Sequence, residues 1–189
     1  IEINGNALLV RAGALYHDIG KLKNPMYFIE NQSAGFNPHD ELSFDESAFI
    51  IINHVKNGIA IAKENKLPEE LIDFIRTHHG TSTVQYFYKQ FITTFPDEDV
   101  DIEDFTYPGP KPFSKETAVL MMADAVEAAA RSINKPNANN INQLVEKIIN
   151  KQIDSNQFVN ADITLKEISQ IKKLFKKKLV NIHHARVEY

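Results

Sequence analysis

An all-α fold is predicted by three features of this sequence. Apolar residues recur at three- and four-residue spacing along nearly the whole chain, alternating strand-like runs are short, and helix-start signatures precede several of the apolar runs. The first helix carries Ala7, Leu8, Val10, Ala14 and Leu15 and is expected to end near Gly20, a residue that readily adopts the left-handed turn closing a helix. A long polar loop follows, NPMYFIENQSAGFNPHDEL, rich in Asn, Pro and Gly. Loops of this length inside compact domains are more often functional than idle. The second helix opens on SFDE, where Ser43 and Glu46 have the spacing of a capping box, and carries Ile50, Ile51, His54, Ile59 and Ile61. Pro68 suits the first turn of a third helix, PEELIDFIRTHHG, which Gly80 terminates. A short fourth helix is expected over TSTVQYFYKQF. A second long loop runs from Thr94 to Phe113, where Pro96, Pro108, Pro110 and Pro112 exclude regular structure. Ser114 can cap a fifth helix, KETAVLMMADAVEAAARSI, whose Ala, Met and Val content predicts burial on most sides. Two more helices are expected near Asn139 to Ile153 and from Thr164 to about His184, the latter opened by a capping box of Thr164 and Glu167.

With 43% hydrophobic residues the chain has ample core material, and one domain over residues 1–189 is expected. The sequence holds no cysteine, so disulfides and thiolate metal sites are excluded. Any metal is therefore held by imidazole and carboxylate. A net charge of −4 argues against a DNA or RNA polymer as partner and against general attraction to anionic lipid. No apolar run approaches the roughly 20 residues of a membrane helix, and the N-terminus lacks a signal-peptide pattern.

Six polar residues fall inside or at the ends of apolar helices: His17, Asp18, His54, His78, His79 and Asp124. Such placements cost several kcal/mol unless the group is paired, hydrogen-bonded or metal-bound. A lone His54 would read as an ordinary core histidine, and Asp124 as the partner of Arg131 or a lysine. The ordered set across separate helices points instead to a shared cation site. Neighbouring helix residues project about 100° apart, so adjacent His-Asp and His-His pairs suit two metals better than one tetrahedral zinc, with Asp18 as the natural bridge.

These residues carry a resemblance. HDIGK, the HV of IINHVKNG, HHG and MMADAVEAAARS resemble successive metal-binding motifs of the HD-domain metal-dependent phosphohydrolases, in their HDIG branch. The connecting segments NPMYFIENQ, NPHDELS and YPGPKP resemble the cytoplasmic domain of seven-transmembrane HD receptors of the PgpH type, which hydrolyse cyclic di-AMP. The resemblance runs from Ala7 to about Arg186. It is weaker toward the HD-GYP branch that acts on cyclic di-GMP, since no Gly-Tyr-Pro follows the paired histidines in HHGTSTVQYFYKQF. The family has a further metal-binding histidine on a helix upstream of the HD pair, and no histidine precedes His17 here. The expectation is a chain that begins late, lacking that helix and the membrane portion through which the full-length protein is anchored in the bacterial cell membrane.

The resemblance implies an enzyme with two divalent transition metal ions, iron or manganese. His17 and Asp124 would hold one, His54, His78 and His79 the other, and Asp18 would bridge them as a catalytic residue. It further implies that a metal-bound hydroxide attacks phosphorus and opens cyclic di-AMP to the linear dinucleotide pApA. Lys21 is expected to face the same cavity as a catalytic, phosphate-neutralising cation, with a solvent-facing cation at a helix C-terminus as its competitor. Arg131, two turns beyond Asp124, is expected to contact phosphate or else to form a structural ion pair. Tyr27, Asn31, Gln32 and Tyr107 can stack on or hydrogen-bond adenine, although aromatic loop residues are more often small packing anchors. His39, His183 and His184 have no partner motif and read as surface or cap histidines, and KKLFKKK, residues 172–178, as the solvated face of an amphipathic helix. Two other readings of the same residues are a phosphohydrolase for cyclic di-GMP or a deoxynucleoside triphosphate, and a non-catalytic nucleotide sensor.

Overall fold

The computed structural model describes residues 3–32, 36–133 and 136–184, with the side chains of His183 and His184 outside the description. Among the described residues there are seven α-helices and one isolated β-bridge, Thr83 to Thr106. The helices are α1 Ala7–Tyr16, α2 Phe44–Glu64, α3 Glu69–Thr77, α4 Gln85–Thr94, α5 Lys115–Arg131, α6 Ala138–Asp154 and α7 Leu165–His184. They divide between two compact units. One comprises residues 12–110 and the other residues 1–11 with 111–189, so α1 contributes to both.

In the unit of residues 12–110, α2 is the central element, packed against α3, α4 and the 3₁₀ turn Ile19–Lys23. Its capping box is complete: the Ser43 hydroxyl accepts from the Glu46 N–H while the Glu46 carboxylate accepts from the Ser43 N–H. Ala62, Ile72 and Ile75 form one apolar cluster and Ala48, Phe87 and Phe105 another. Four expectations need correction in this unit. Gly20 does not close α1 by a left-handed turn, since α1 ends at Tyr16 and Gly80 and Gly109 are the glycines of positive φ among the described residues. Gly20 is instead pressed against α2: a β-carbon there would lie 1.8 Å from the His54 carbonyl oxygen and 2.4 Å from the Gly58 nitrogen. Helix α4 starts at Gln85 rather than Thr81, because the Val84 N–H donates to the Phe105 carbonyl (2.7 Å) and the Tyr107 N–H to the Ser82 carbonyl (2.9 Å), holding the preceding segment extended. His39 is not a surface or cap histidine: its Nε2 bonds the Tyr27 carbonyl at 2.9 Å and its ring lies against Phe87, centroids 4.9 Å apart. Pro68 is the N-cap of α3, one residue before its predicted place.

In the other unit, α6 packs against α5 and α7 over Ala118, Met121, Met122, Val126, Val145, Ile149, Phe158, Ile168 and Ile171. Ser114 caps α5 through reciprocal bonds with Thr117. The lysine run is only partly a solvated face. Lys172 and Lys176 both reach Glu146 of α6, at 2.9 and 2.5 Å, while Lys173, Lys177 and Lys178 are exposed.

The Thr164–Glu167 capping box forms as expected, and Glu167 also accepts from Lys115 of α5. The Lys115 hydrogen bond, followed by those from the Thr164 N–H and hydroxyl, lowers the Glu167 pKa from its ordinary 4.5 to about 2. A carboxyl depressed on folding contributes stability above its unfolded pKa and loses it as pH falls through the folded one. Wild type should therefore exceed Glu167→Gln in Tm above pH 4.5, and the difference should shrink toward zero by pH 2 in parallel thermal melts.

Candidate metal centre

Helix α1 delivers His17 and Asp18 at its end, the His17 N–H still bonded to the Gly13 carbonyl at 2.9 Å. Asp18 (φ −103°, ψ 10°) then turns the chain into the 3₁₀ segment Ile19–Lys23. His54 comes from the middle of α2, and His78 and His79 from the C-terminal end of α3. The contact of Gly20 with the α2 backbone at His54 and Gly58 brings the HD turn to the histidines. Gly13 serves similarly, since a β-carbon there would meet the Phe74 ring at 2.4 Å.

Three imidazoles share one orientation. The Nδ1 atoms of His17, His54 and His78 lie 2.9, 2.5 and 2.8 Å from the carbonyl oxygens of Ala14, Ile51 and Ile75, each three residues earlier. A carbonyl only accepts, so Nδ1 carries the proton and the neutral ring presents an Nε2 lone pair; this tautomer follows from the hydrogen-bond pattern. The Nε2 atoms of His54 and His78 face each other at 3.0 Å. Asp18 Oδ1 stands 3.4 and 3.6 Å from those same atoms, while Oδ2 is 3.2 Å from His17 Nε2 and 2.8 Å from Lys21 Nζ. The carboxylate thus points one oxygen at the His54–His78 pair and the other at His17 and Lys21. His54 and His78 are almost fully buried. Converging lone pairs and a carboxylate in such a place repel one another unless a proton or a cation stands among them.

His79 completes the first group: one ring nitrogen from each of His54, His78 and His79 lies within 4.8 Å of the others. Its ring stacks on Tyr107 at 4.2 Å and 26°. Burial, reinforced by the neighbouring imidazoles, lowers the pKa of His78 and, further, of His79. Both rings are therefore neutral at neutral pH. This donor set of neutral imidazole nitrogens around a partly buried carboxylate suits a divalent transition ion.

Lys21 is not a solvent-facing cation. It donates to Asp18 and to Glu30 Oε1 at 2.6 Å and lies 5.1 Å from the centre of the Phe28 ring. Burial pulls its pKa down and the two carboxylates push it up further, so the ammonium is charged at all ordinary pH. Tyr107 also needs correction. It is only 6% exposed and one face is taken by His79, so it supports that ring and has no open face for adenine. Tyr27 is half-buried against His39, Asn31 is exposed, and the Gln32 amide donates to Asn37 at 3.1 Å. In α5 of the other unit, Asp124 is half-buried in an otherwise largely apolar helix, and Arg131 pairs with Glu127 at 2.8 Å where both are more than half exposed. Sequence reasoning missed Phe28, whose ring meets the His54 ring edge-on at 5.7 Å, as well as Glu30 and Gly58. Of these only Gly58 carried a signal: a glycine inside a helix, one turn after His54, is costly unless something approaches it closely.

The HD domain family matches residues 1–129. This chain is an HD domain. HD domains are metal-dependent, in keeping with the His and Asp groups just described. The chain is 45% identical over 187 residues to the Bacillus subtilis cyclic-di-AMP phosphodiesterase PgpH and 44% identical over 188 residues to its Listeria monocytogenes counterpart. These alignments cover 99% and 100% of this chain and 26% of each relative, so the chain spans about a quarter of their length. The crystal structure of the L. monocytogenes PgpH HD domain in complex with cyclic-di-AMP superposes with a TM-score of 0.92 at 44% identity, covering 96% of this chain and 84% of that one. The all-α HD-domain architecture expected from the sequence is thereby established. No described helix is long and apolar enough to cross a membrane.

Proposed function

We propose that this chain is the catalytic HD domain of a membrane-anchored cyclic di-AMP phosphodiesterase, opening the cyclic dinucleotide to linear pApA. The observation that carries the chemistry is Asp18, whose two oxygens face His54 with His78 on one side and His17 with Lys21 on the other. The substrate is supported by the 44% identity to a domain crystallised with cyclic-di-AMP.

His54, His78 and His79 would hold one divalent ion, His17 and Asp124 a second, and Asp18 would be shared, with iron or manganese as the preferred metals. When bound, such a pair supplies a water acidic enough to ionise near neutral pH and neutralises charge developing on phosphate. The remaining work belongs to the chain. Buried His54 and His78, with Nδ1 anchored to backbone carbonyls, cannot swing away from their ligand positions. Lys21 offers an N–H to a phosphate oxygen, and Arg131 would exchange Glu127 for a second one. Tyr27, Asn31 and Gln32 lie in the loop that follows Lys21 and are assigned to the nucleoside. No serine or cysteine nucleophile is needed.

The test is turnover by the manganese-loaded protein of cyclic di-AMP, cyclic di-GMP and a deoxynucleoside triphosphate at equal concentrations. Cyclic di-AMP should be consumed at least about tenfold faster than the other two. Preference for a triphosphate contradicts the substrate assignment, and tight binding without turnover favours a sensor.

A further inference from the structure

We propose that Glu30 is a positioning residue that fixes the ammonium of Lys21 for a phosphate oxygen and so ties the loop of residues 25–32 to the reacting end of the substrate. The inference rests on the reading of the site as a cyclic dinucleotide phosphodiesterase with Lys21 at phosphate.

An ammonium on a four-carbon stem is a mobile point charge unless several groups hold it. Here three do: Asp18 Oδ2 at 2.8 Å, Glu30 Oε1 at 2.6 Å and the face of Phe28, 5.1 Å from ring centre to nitrogen. Two of the three N–H groups are committed to carboxylates, which leaves the third for an incoming anion. The two carboxylates are not equivalent. Asp18 is assigned to cations and has its oxygens directed at the imidazoles, so with metal present its hold on Lys21 weakens. Glu30 lies outside the imidazole group and keeps the ammonium in place.

Glu30 is itself mounted firmly. It sits in the 3₁₀ turn Ile29–Asn31, next to Phe28, which is buried against His54. One residue earlier, the Tyr27 carbonyl is held by His39 Nε2 at 2.9 Å, and His39 is wedged against Phe87. A shift of this loop therefore moves the Lys21 ammonium, and a phosphate seated on Lys21 fixes the loop that carries Asn31 and Gln32.

Steady-state kinetics on cyclic di-AMP with saturating manganese test this for wild type, Glu30→Ala, Glu30→Gln, Lys21→Ala and the double variant Lys21→Ala with Glu30→Ala. Melting curves accompany each, and Glu30→Thr replaces the alanine variant should it not fold. Expected are a KM raised about tenfold in Glu30→Ala with kcat within about threefold, and recovery to within about threefold of the wild-type KM in Glu30→Gln, which keeps the acceptor oxygen. In the Lys21→Ala background, removing Glu30 should change KM by less than about twofold. An unchanged KM, a lowered KM, or a Glu30 effect undiminished without Lys21 overturns the assignment while leaving the phosphodiesterase reading intact. A wild-type protein that neither binds nor hydrolyses the cyclic dinucleotide overturns both.

Discussion

Replacing Asp18 by asparagine should abolish turnover while leaving the protein folded, and in metal-free buffer the variant should melt no lower than wild type. The reason lies in the two faces of the carboxylate. Oδ1 lies 3.4 and 3.6 Å from nitrogens that present lone pairs, an arrangement that is repulsive until a cation or proton stands among them. An amide group at the same place can turn its NH₂ toward His54 and His78 and donate to one of them, relieving that repulsion. It carries no charge to offer a cation, however, and can no longer share two oxygens between two ions. Losing several kcal/mol of charge stabilisation corresponds to a fall of about 10³-fold or more in kcat/KM. Bound metal by elemental analysis should fall in step. Asp18→Ala should be equally inactive but should melt lower, because Lys21 loses its 2.8 Å partner as well. If Asp18→Asn retains wild-type turnover, the carboxylate is structural and the metal assignment is wrong.

The second large effect is expected from one methyl group. Gly20→Ala places a β-carbon 1.8 Å from the His54 carbonyl oxygen and 2.4 Å from the Gly58 nitrogen, and both are backbone atoms of α2 that no rotamer change can move aside. The 3₁₀ segment must lift away from α2, taking Asp18 with it. A cost of about 3 kcal/mol or more follows, at the upper end of overpacking effects, which for a chain of this size lowers Tm by roughly 6–12 °C. Activity should fall with it because His54 and Asp18 are separated. Gly58→Ala is the internal control. Its β-carbon meets the Ile75 Cγ2 at 2.8 Å, the end of a side chain that can shift, and the Gly20 nitrogen at 3.3 Å. Its loss in a thermal melt should be clearly the smaller of the two.

Gly20 also marks where sequence reading stops. The helix starts at Phe44, Lys115 and Leu165 were legible because an N-cap, with or without its reciprocal partner, is a local device complete within four residues. The six candidate ligands stood out in the sequence because a histidine or aspartate in an apolar helix is out of keeping with its surroundings. What a residue touches across the fold was not. Gly20 looked like a helix terminator, and its actual role depends on the crossing with α2. Val84 looked helical, and its N–H is claimed by Phe105, 21 positions later. Tyr107 read either as a base-stacking loop aromatic or as a packing anchor, and only the fold shows that it is packed under His79. Lys172 and Lys176 looked solvated, and a single glutamate on α6 gathers both. Nothing in the spacing of Lys21 and Glu30 signalled their contact, since the turns between them fold the chain back by a route with no helical period.

The central claim is that imidazoles and carboxylates from separate parts of the chain serve one pair of cations through Asp18. Crystals grown with manganese and measured on both sides of the metal's absorption edge test it most directly. The prediction is two anomalous peaks, each about 2.0–2.3 Å from an oxygen of Asp18, one also touching His54, His78 and His79 and the other His17 and Asp124. Density at that edge with no peak beside Asp18, or a peak held by His54 and His78 with Asp18 turned away from it, would contradict the account.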